Sequence, residues 1–313
     1  MYTAFDPPGV SFSGHESFPL RYSWLKKGYL ALQQDDTLFS QDDALVRLGV
    51  GKNMVRAIRH WGLAARLWRE EEGSRGRRIQ LTALAESLLN DETGYDPYLE
   101  RIETWWFLHG QIATNQRHAT AWAWLFGRPK SNRFEKSELV AELEAFAQRD
   151  RASRVSAATI RRDVDVLIRT YCRTRTGAPL EEDGLDSPFL QLGLVRQTAD
   201  KSAYEIVQSA RTNIPLWVFR AQLNGYLLTR ADDQSSARSV DDLMYSIGSP
   251  GRVFRLSEES LVRRLVELAA MWPDFYQFDE TAGLRQLYVT GDVATPEQVL
   301  ESVRCAGKEG IAV

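Results

Sequence analysis

A glycine–valine–glycine turn, Gly49-Val50-Gly51, parts two short amphipathic stretches, and this pairing constrains the fold more than any other feature of the chain. On its N-terminal side, Ser40 offers a helix cap with Asp43 three residues on, so a helix is expected from Gln41 with Ala44, Leu45 and Leu48 on its apolar face. Beyond the turn a second helix is expected over residues 52–61. Met54, Val55, Ile58 and Trp61 form one side, and Lys52, Asn53, Arg56, Arg59 and His60 form the other. Gly62 should close it. Residues 66–70 and 78–81 have strand character, and Gly73, Ser74 and Gly76 mark the turn between them, with Arg75, Arg77 and Arg78 beside it. The whole reads as a helix-turn-helix followed by a β-hairpin wing. A short helix buried on one side and basic on the other suits the major groove of DNA. Winged helices also serve as protein-interaction modules, and a basic face can be merely solvated.

Charge distribution favours the nucleic-acid reading. Residues 47–78 hold nine Lys/Arg against three Glu, a local balance of +6, in a chain of formal net charge -3. Residues 149–175 hold eight Arg against three Asp, a balance of +5. DNA contacts are therefore expected at Lys52, Asn53, Arg56, Arg59, His60, Arg75, Arg77 and Arg78, and at Arg154, Arg161 and Arg162 of the second basic region. The partner would be double-stranded DNA.

With 313 residues the chain is long enough for two or three modules. We expect an α+β, mostly α, architecture of several winged helix-turn-helix modules with small hairpin wings. Residues 1–92 would form an N-terminal arm and winged-helix domain. Residues 93–211 would form a helical, second winged-helix-like module, and residues 212–313 a third. In the second, Ser156 should cap a helix with Ile160, Val164, Leu167, Ile168 and Tyr171 on one side. In the third, Ser239 and Ser257 should cap helices, Ser249-Pro250-Gly251 should turn, and Glu258, Glu259 and Asp279-Glu280 make the surface acidic, suited to protein. Aromatic residues at helical spacing between 95 and 130 (Trp105, Trp106, Trp124) read first as a buried helix pair.

Several classes are disfavoured. Cys172 and Cys305 stand alone, so neither a disulfide framework nor a structural zinc site is expected, and a reducing cytoplasm is the default location. No apolar run approaches a membrane span, so no membrane partner is expected. There is no phosphate-binding glycine loop, no dinucleotide fingerprint and no nucleophile elbow. Four histidines are too few for a His-rich metal cage. Asp163 and Asp165 are two apart on an expected helix, so they face different ways and suit neighbouring arginines. The compact run Phe12-Ser13-Gly14-His15-Glu16-Ser17-Phe18 reads as an arm whose phenylalanines dock while His15 and Glu16 hydrogen-bond locally. The alternative is catalytic, with His15 as general base or ligand and Glu16 as metal ligand. Otherwise the catalytic and metal residues are unknown and no cofactor is evident.

Two runs, Phe12 to Arg21 and Leu48-Gly49-Val50-Gly51-Lys52-Asn53-Met54-Val55, resemble a bacterial family long labelled only as a domain of unknown function. Its members are encoded beside DNA phosphorothioation genes and are similar to the SspB component of the Ssp system. The likeness extends over most of the chain and includes Asp279-Glu280 and Gly283-Leu284-Arg285-Gln286-Leu287. It implies a part in replacing a non-bridging phosphate oxygen by sulfur, a phage-defence modification. The partners it implies are a cysteine desulfurase, an ATPase and an ATP-using sulfurtransferase. It also implies a metal-dependent nickase, with Mg or Mn as cofactor, although no catalytic residue carries over. Three readings stay open: a nicking or strand-opening enzyme, a non-catalytic DNA-recognition scaffold, and a transcriptional regulator of the gene cluster.

Overall fold

Local sequence sets the first elements. A computed structural model describes residues 9–128, 131–149, 155–173, 187–230, 237–281 and 283–308. It opens with α1 (Trp24–Gln34), a 3-10 turn at Leu38–Ser40, α2 (Ala44–Leu48), α3 (Lys52–Ala64), the hairpin β1 (Trp68–Glu70) and β2 (Ile79–Leu81), and α4 (Ala83–Leu89). Gly49 ends α2 in the left-handed region at φ 63, which glycine enters without Cβ strain. Two expectations change here. Ser40 does not cap α2; it lies in the 3-10 turn, its hydroxyl donates to the Arg77 carbonyl, and α2 starts only at Ala44. Gly62 does not end α3; it lies inside the helix because the Trp68 ring occupies the space a Cβ would need. Thr82 caps α4, its hydroxyl accepting from the Ala85 amide.

The middle of the chain runs α5 (Ile102–Ala113), α6 (Thr120–Gly127), β3 (Arg133–Phe134), α7 (Lys136–Arg149) and α8 (Ala157–Tyr171). A 3-10 turn at Pro188–Leu192 then leads to β4 (Val195–Gln197) and β5 (Tyr204–Ile206). Ser156 caps α8, accepting from the Thr159 amide. The strand β3, absent from the expected elements, pairs with β5 to give an antiparallel order β3-β5-β4. The last third holds α9 (Leu216–Leu228), β6 (Ala237–Ser239), α10 (Val240–Tyr245), α11 (Pro250–Phe254), α12 (Glu258–Met271), β7 (Tyr276–Thr281), β8 (Leu284–Val289) and α13 (Pro296–Lys308). Its sheet is antiparallel, in the order β6-β8-β7. Ser249 does not merely turn the chain. It caps the short helix α11, with Pro250 in the first turn, where a missing N–H costs nothing. The chain is thus mixed helix and sheet, with small antiparallel sheets, as an α+β class requires.

Contacts cross the divisions expected near 92 and 211. The last helix, α13, packs on α4, where Glu301 accepts from Ser87 at 2.8 Å and Arg304 donates to the Thr93 carbonyl at 2.9 Å. Trp105, Trp106, Phe107 and Trp122 are buried between α5, α6 and their neighbours. Guanidinium groups staple these layers through backbone carbonyls. Arg255 donates to Leu125 at 2.6 Å, Arg211 to Leu192 at 3.0 Å, and Arg264 to Arg211 at 2.6 Å. Burial, and then the neighbouring Arg252, push the Arg255 pKa down to about 9.

Candidate nucleic-acid interface

Helix α3 separates its sides cleanly. Val55, Ala57, Ile58 and Trp61 are buried, while Lys52, Asn53 and Arg56 are exposed. Its N-cap is Gly51, which has no side chain to accept the first amides, so these donors stay open to an anion. Arg59 is turned sideways. It donates to Glu70 at 2.5 Å and to the Gly76 carbonyl at 3.3 Å, tying the hairpin to α3. Trp68 fixes the base of the hairpin by donating from its indole to the Arg59 carbonyl at 2.9 Å. Arg75, Arg77 and Arg78 are exposed on the β1–β2 connection. Arg78 approaches Asp36 at 3.2 Å and Glu71 at 3.7 Å. Among the described residues no carboxylate pairs with Lys52, Arg75 or Arg77. These three are uncompensated cations of the surface.

The N-terminal arm crosses from this surface to α8. Two short turns fold residues 13–18, with the Glu16 amide donating to Ser13 at 2.9 Å and the Phe18 amide to His15 at 3.0 Å. Ser13 and Glu16 hold positive φ, 67 and 56, a conformation that costs a side-chain-bearing residue energy and persists only where contacts enforce it. Those contacts come from both sides. From α8, Asp163 accepts from the Ser13 amide at 2.8 Å and Arg169 donates to the Ser17 carbonyl at 2.7 Å. From α3, Arg56 donates to Glu16 at 3.1 Å and Trp61 donates to the Phe18 carbonyl at 3.1 Å. Gly14 lies against the His60 ring so closely that any Cβ there would strike it.

His15 is fully buried beneath the arm. Its ring centroid lies 5.4 Å from that of His60 and 5.5 Å from that of Trp122, and its Nε2 lies 3.3 Å from an Asp163 oxygen. That approach is off the hydrogen-bond axis: both His15 ring nitrogens and His60 Nε2 lack a directed partner among the described residues. His60 departs from its expected place on the open face. It is buried, and burial first, then the neighbouring His15, His118 and Arg59, hold its pKa well below the usual imidazole range. It is therefore a neutral packing group that seats the arm. Arg56 is exposed but already answered by Glu16, and Arg59 is committed to the hairpin.

The arm does not fit a divalent-metal site. Magnesium and manganese take several oxygen ligands. Here Glu16 is engaged by Arg56, and Asp163 by Ser13 and His15. Among the described residues no three His, Cys, Asp or Glu side chains stand close enough to hold an ion. A buried His15 also has no open path to a phosphodiester. In the second basic region, Arg161 and Arg162 are exposed on α8, while Arg154 lies outside the described residues. Arg161 borders a shallow cleft shared with Lys136, Glu144 and Ser202, so its surroundings carry both signs of charge. Asp163 and Asp165 do face different ways, but neither pairs with the arginines beside it; Asp165 bonds Lys136 and Asp163 holds the arm.

Sequence reasoning missed the residues that fasten the arm, namely Asp163, Arg169 and Trp122, because they lie more than 100 positions from it. One signal was available. Asp163 is an acidic residue on the apolar side of α8, adjacent to Val164 and buried, and such a residue needs a partner from elsewhere.

The profile of a family described as "Protein of unknown function (DUF4007)" matches residues 12–303. No protein of curated function matches. Among solved structures, a magnesium ion-bound SspB crystal structure superposes with a TM-score of 0.83 at 30% identity, covering 96% of this chain and 88% of that one. A second SspB crystal structure gives 0.81 at the same identity and coverage. No helix of the described residues is long and apolar enough to cross a membrane. The arm, the Gly49–Gly51 turn and the basic hairpin all lie within the matched span, and the chain, similar to these SspB structures, belongs to the DUF4007 family.

Proposed function

We propose that this chain is the DNA-recognition component of an Ssp-type phosphorothioation system, and that it grips duplex DNA through a winged helix-turn-helix made of α2, α3 and the β1–β2 wing. The observation that carries this reading is the set of uncompensated cations, Lys52, Arg75 and Arg77, beside the open N-terminus of α3. Phosphates would meet Lys52 and the first amides of α3, the wing arginines would follow the backbone, and Asn53 would face the groove. Its partners would be the sulfur-supplying and ATP-using proteins of the same system, and its place of action the cytoplasm. Kinship with SspB supports the assignment to that system; the charge pattern supports the DNA contact.

Strand nicking is the second reading, favoured by the same kinship. The arm offers it no ready ligand set for Mg²⁺ or Mn²⁺. Supercoiled plasmid incubated with the purified protein and either ion separates the two. A shifted but still supercoiled plasmid marks a recognition component. Relaxed circles would establish nicking, and retention of nicking in Glu16→Ala would place the chemistry away from the arm. If Lys52→Ala combined with Arg75→Ala leaves duplex affinity unchanged at moderate salt, the winged-helix reading fails.

A further inference from the structure

Helix α6 carries two tryptophans that point opposite ways. Trp122 is buried against His15 and Trp61. Trp124, two positions on, lies only partly buried on the far side. Its ring meets that of Phe146 on α7, centroid to centroid 4.8 Å with planes tilted 44°. The Arg128 guanidinium covers both rings, 5.1 Å from the Trp124 centroid and 5.0 Å from that of Phe146. The indole N–H donates to Glu142 at 3.1 Å, which fixes the ring plane.

Core packing accounts for only part of this group: Trp124 leans on the core, but Phe146 does not. Helix α7 buries Leu139, Val140, Leu143 and Ala147, and Phe146 sits on the flank of that face, half-exposed. Nor does charge pairing. Burial first, and then the nearby Arg149, lower the Arg128 pKa, yet neither arginine has a carboxylate partner among the described residues. Two neighbouring cations with no carboxylate partner among the described residues, one of them over a pair of aromatic rings, suit a ligand that is at once planar and anionic. Nucleic-acid bases stack on aromatic rings and on guanidinium planes, while the attached phosphate answers the second cation. A paired base inside a duplex offers no free face, so the ligand must be unpaired.

We propose that Trp124, Phe146, Arg128 and Arg149 form a stacking site for an unpaired nucleotide of single-stranded DNA. The proposal rests on the DNA-recognition reading and extends it, since the site would receive a base from a strand opened beside α3. A single-stranded oligonucleotide bearing 2-aminopurine tests it, because stacking quenches the fluorescence of that base. Wild type should quench it. Phe146→Ala and Trp124→Ala should abolish the quenching and weaken single-strand affinity about 5- to 100-fold. Phe146→Leu keeps the packing against Trp124 but removes the ring, so it should lose quenching without a change in melting temperature. Phe146→Tyr should retain it. Duplex affinity should be unchanged in all four and reduced in Lys52→Ala. If quenching and affinity persist in Phe146→Leu and Trp124→Ala while Lys52→Ala still weakens duplex binding, the stacking site is overturned and the recognition reading stands. If wild type binds neither duplex nor single strand, both are overturned.

Discussion

Helices α3 and α12 hold the same place in their thirds of the chain, each after a turn and before an antiparallel hairpin, yet they show opposite chemistry to solvent. Both are amphipathic, burying Val55, Ile58 and Trp61 in one case and Leu261, Leu265 and Leu268 in the other. At the N-terminus of α3 stand Gly51, Lys52 and Asn53. At that of α12, Ser257 caps the helix and Glu258 and Glu259 fill the first turn, where they stabilise the helix dipole and repel phosphate. The hairpin after α3 carries Arg75, Arg77 and Arg78; that after α12 carries Asp279 and Glu280, with Arg285 bonded back to Glu258. Outward along α12, Val266 and Met271 are about half exposed beside Glu267. The buried face of such a helix fixes the layout, and the outer face is free to choose the partner.

Buried faces should behave alike, with the largest effects. Trp61→Ala on α3 and Leu265→Ala on α12 each remove a fully buried side chain and should cost about 3–5 and about 2–5 kcal/mol of unfolding free energy. Denaturant titration measures both. If one substitution proves neutral, that helix is not packed as described.

The second effect separates the thirds by pH. All four histidines, His15, His60, His109 and His118, precede residue 212. Burial depresses the pKa of His60, and it depresses that of His109 to about 3 despite a hydrogen bond to Val253. Unfolding frees both to bind protons at ordinary pKa. Stability is therefore full above the unfolded value near 6.5 and is lost as pH falls below it toward the folded values. Between pH 7 and pH 5 His109 alone should withdraw about 2 kcal/mol, and His60 acts in the same direction. Hydrogen exchange at pH 5 should show α3 and α5 losing protection before α12. Equal loss in all three would show that the histidines do not set the acid sensitivity.

A smaller, sharper effect lies in salt dependence. Removing Lys52, Arg75 or Arg77 should reduce the slope of log affinity against log salt by about one for each phosphate no longer neutralised. Glu258→Ala and Glu259→Ala on α12 should leave that slope unchanged. If they raise affinity as much as Lys52→Ala lowers it, the two helices share one DNA surface and the contrast between them collapses.

Much of this was legible in the sequence because it is local. Caps at Thr82, Ser156, Ser239 and Ser257, and the periodic apolar faces of α3, α8 and α12, announce themselves within a few residues. Helix α13, absent from the expected elements, carries a signal just as local: Thr295 and Gln298 form a reciprocal capping box with Pro296 at the start. The arm was not legible. Its partners Asp163 and Arg169 come from 150 residues away, and nothing local distinguishes His60, buried at the arm, from Arg56, exposed four positions earlier on the same helix. Arg59 likewise looked like a reader of bases because its tether, Glu70, lies across a turn.

The smallest effect bears on that arm. Glu16 holds Arg56 at 3.1 Å across a partly exposed surface, with the Arg56 side chain 57% exposed. Exposed pairs of this kind contribute about 0.2–1 kcal/mol, so Glu16→Gln and Arg56→Ala should each shift stability by less than about 1 kcal/mol. Their effects on DNA should have opposite signs. Glu16→Gln frees the guanidinium for phosphate and removes a negative charge beside the groove, so duplex affinity should rise about 2- to 5-fold. Arg56→Ala should lower affinity only slightly, because in the wild type that cation is already neutralised. The double variant should match Arg56→Ala, since the freed group is then absent. A binding titration of all four proteins at one salt concentration decides it. If Glu16→Gln raises affinity equally with and without Arg56, the arm acts through its own charge and not by occupying the arginine.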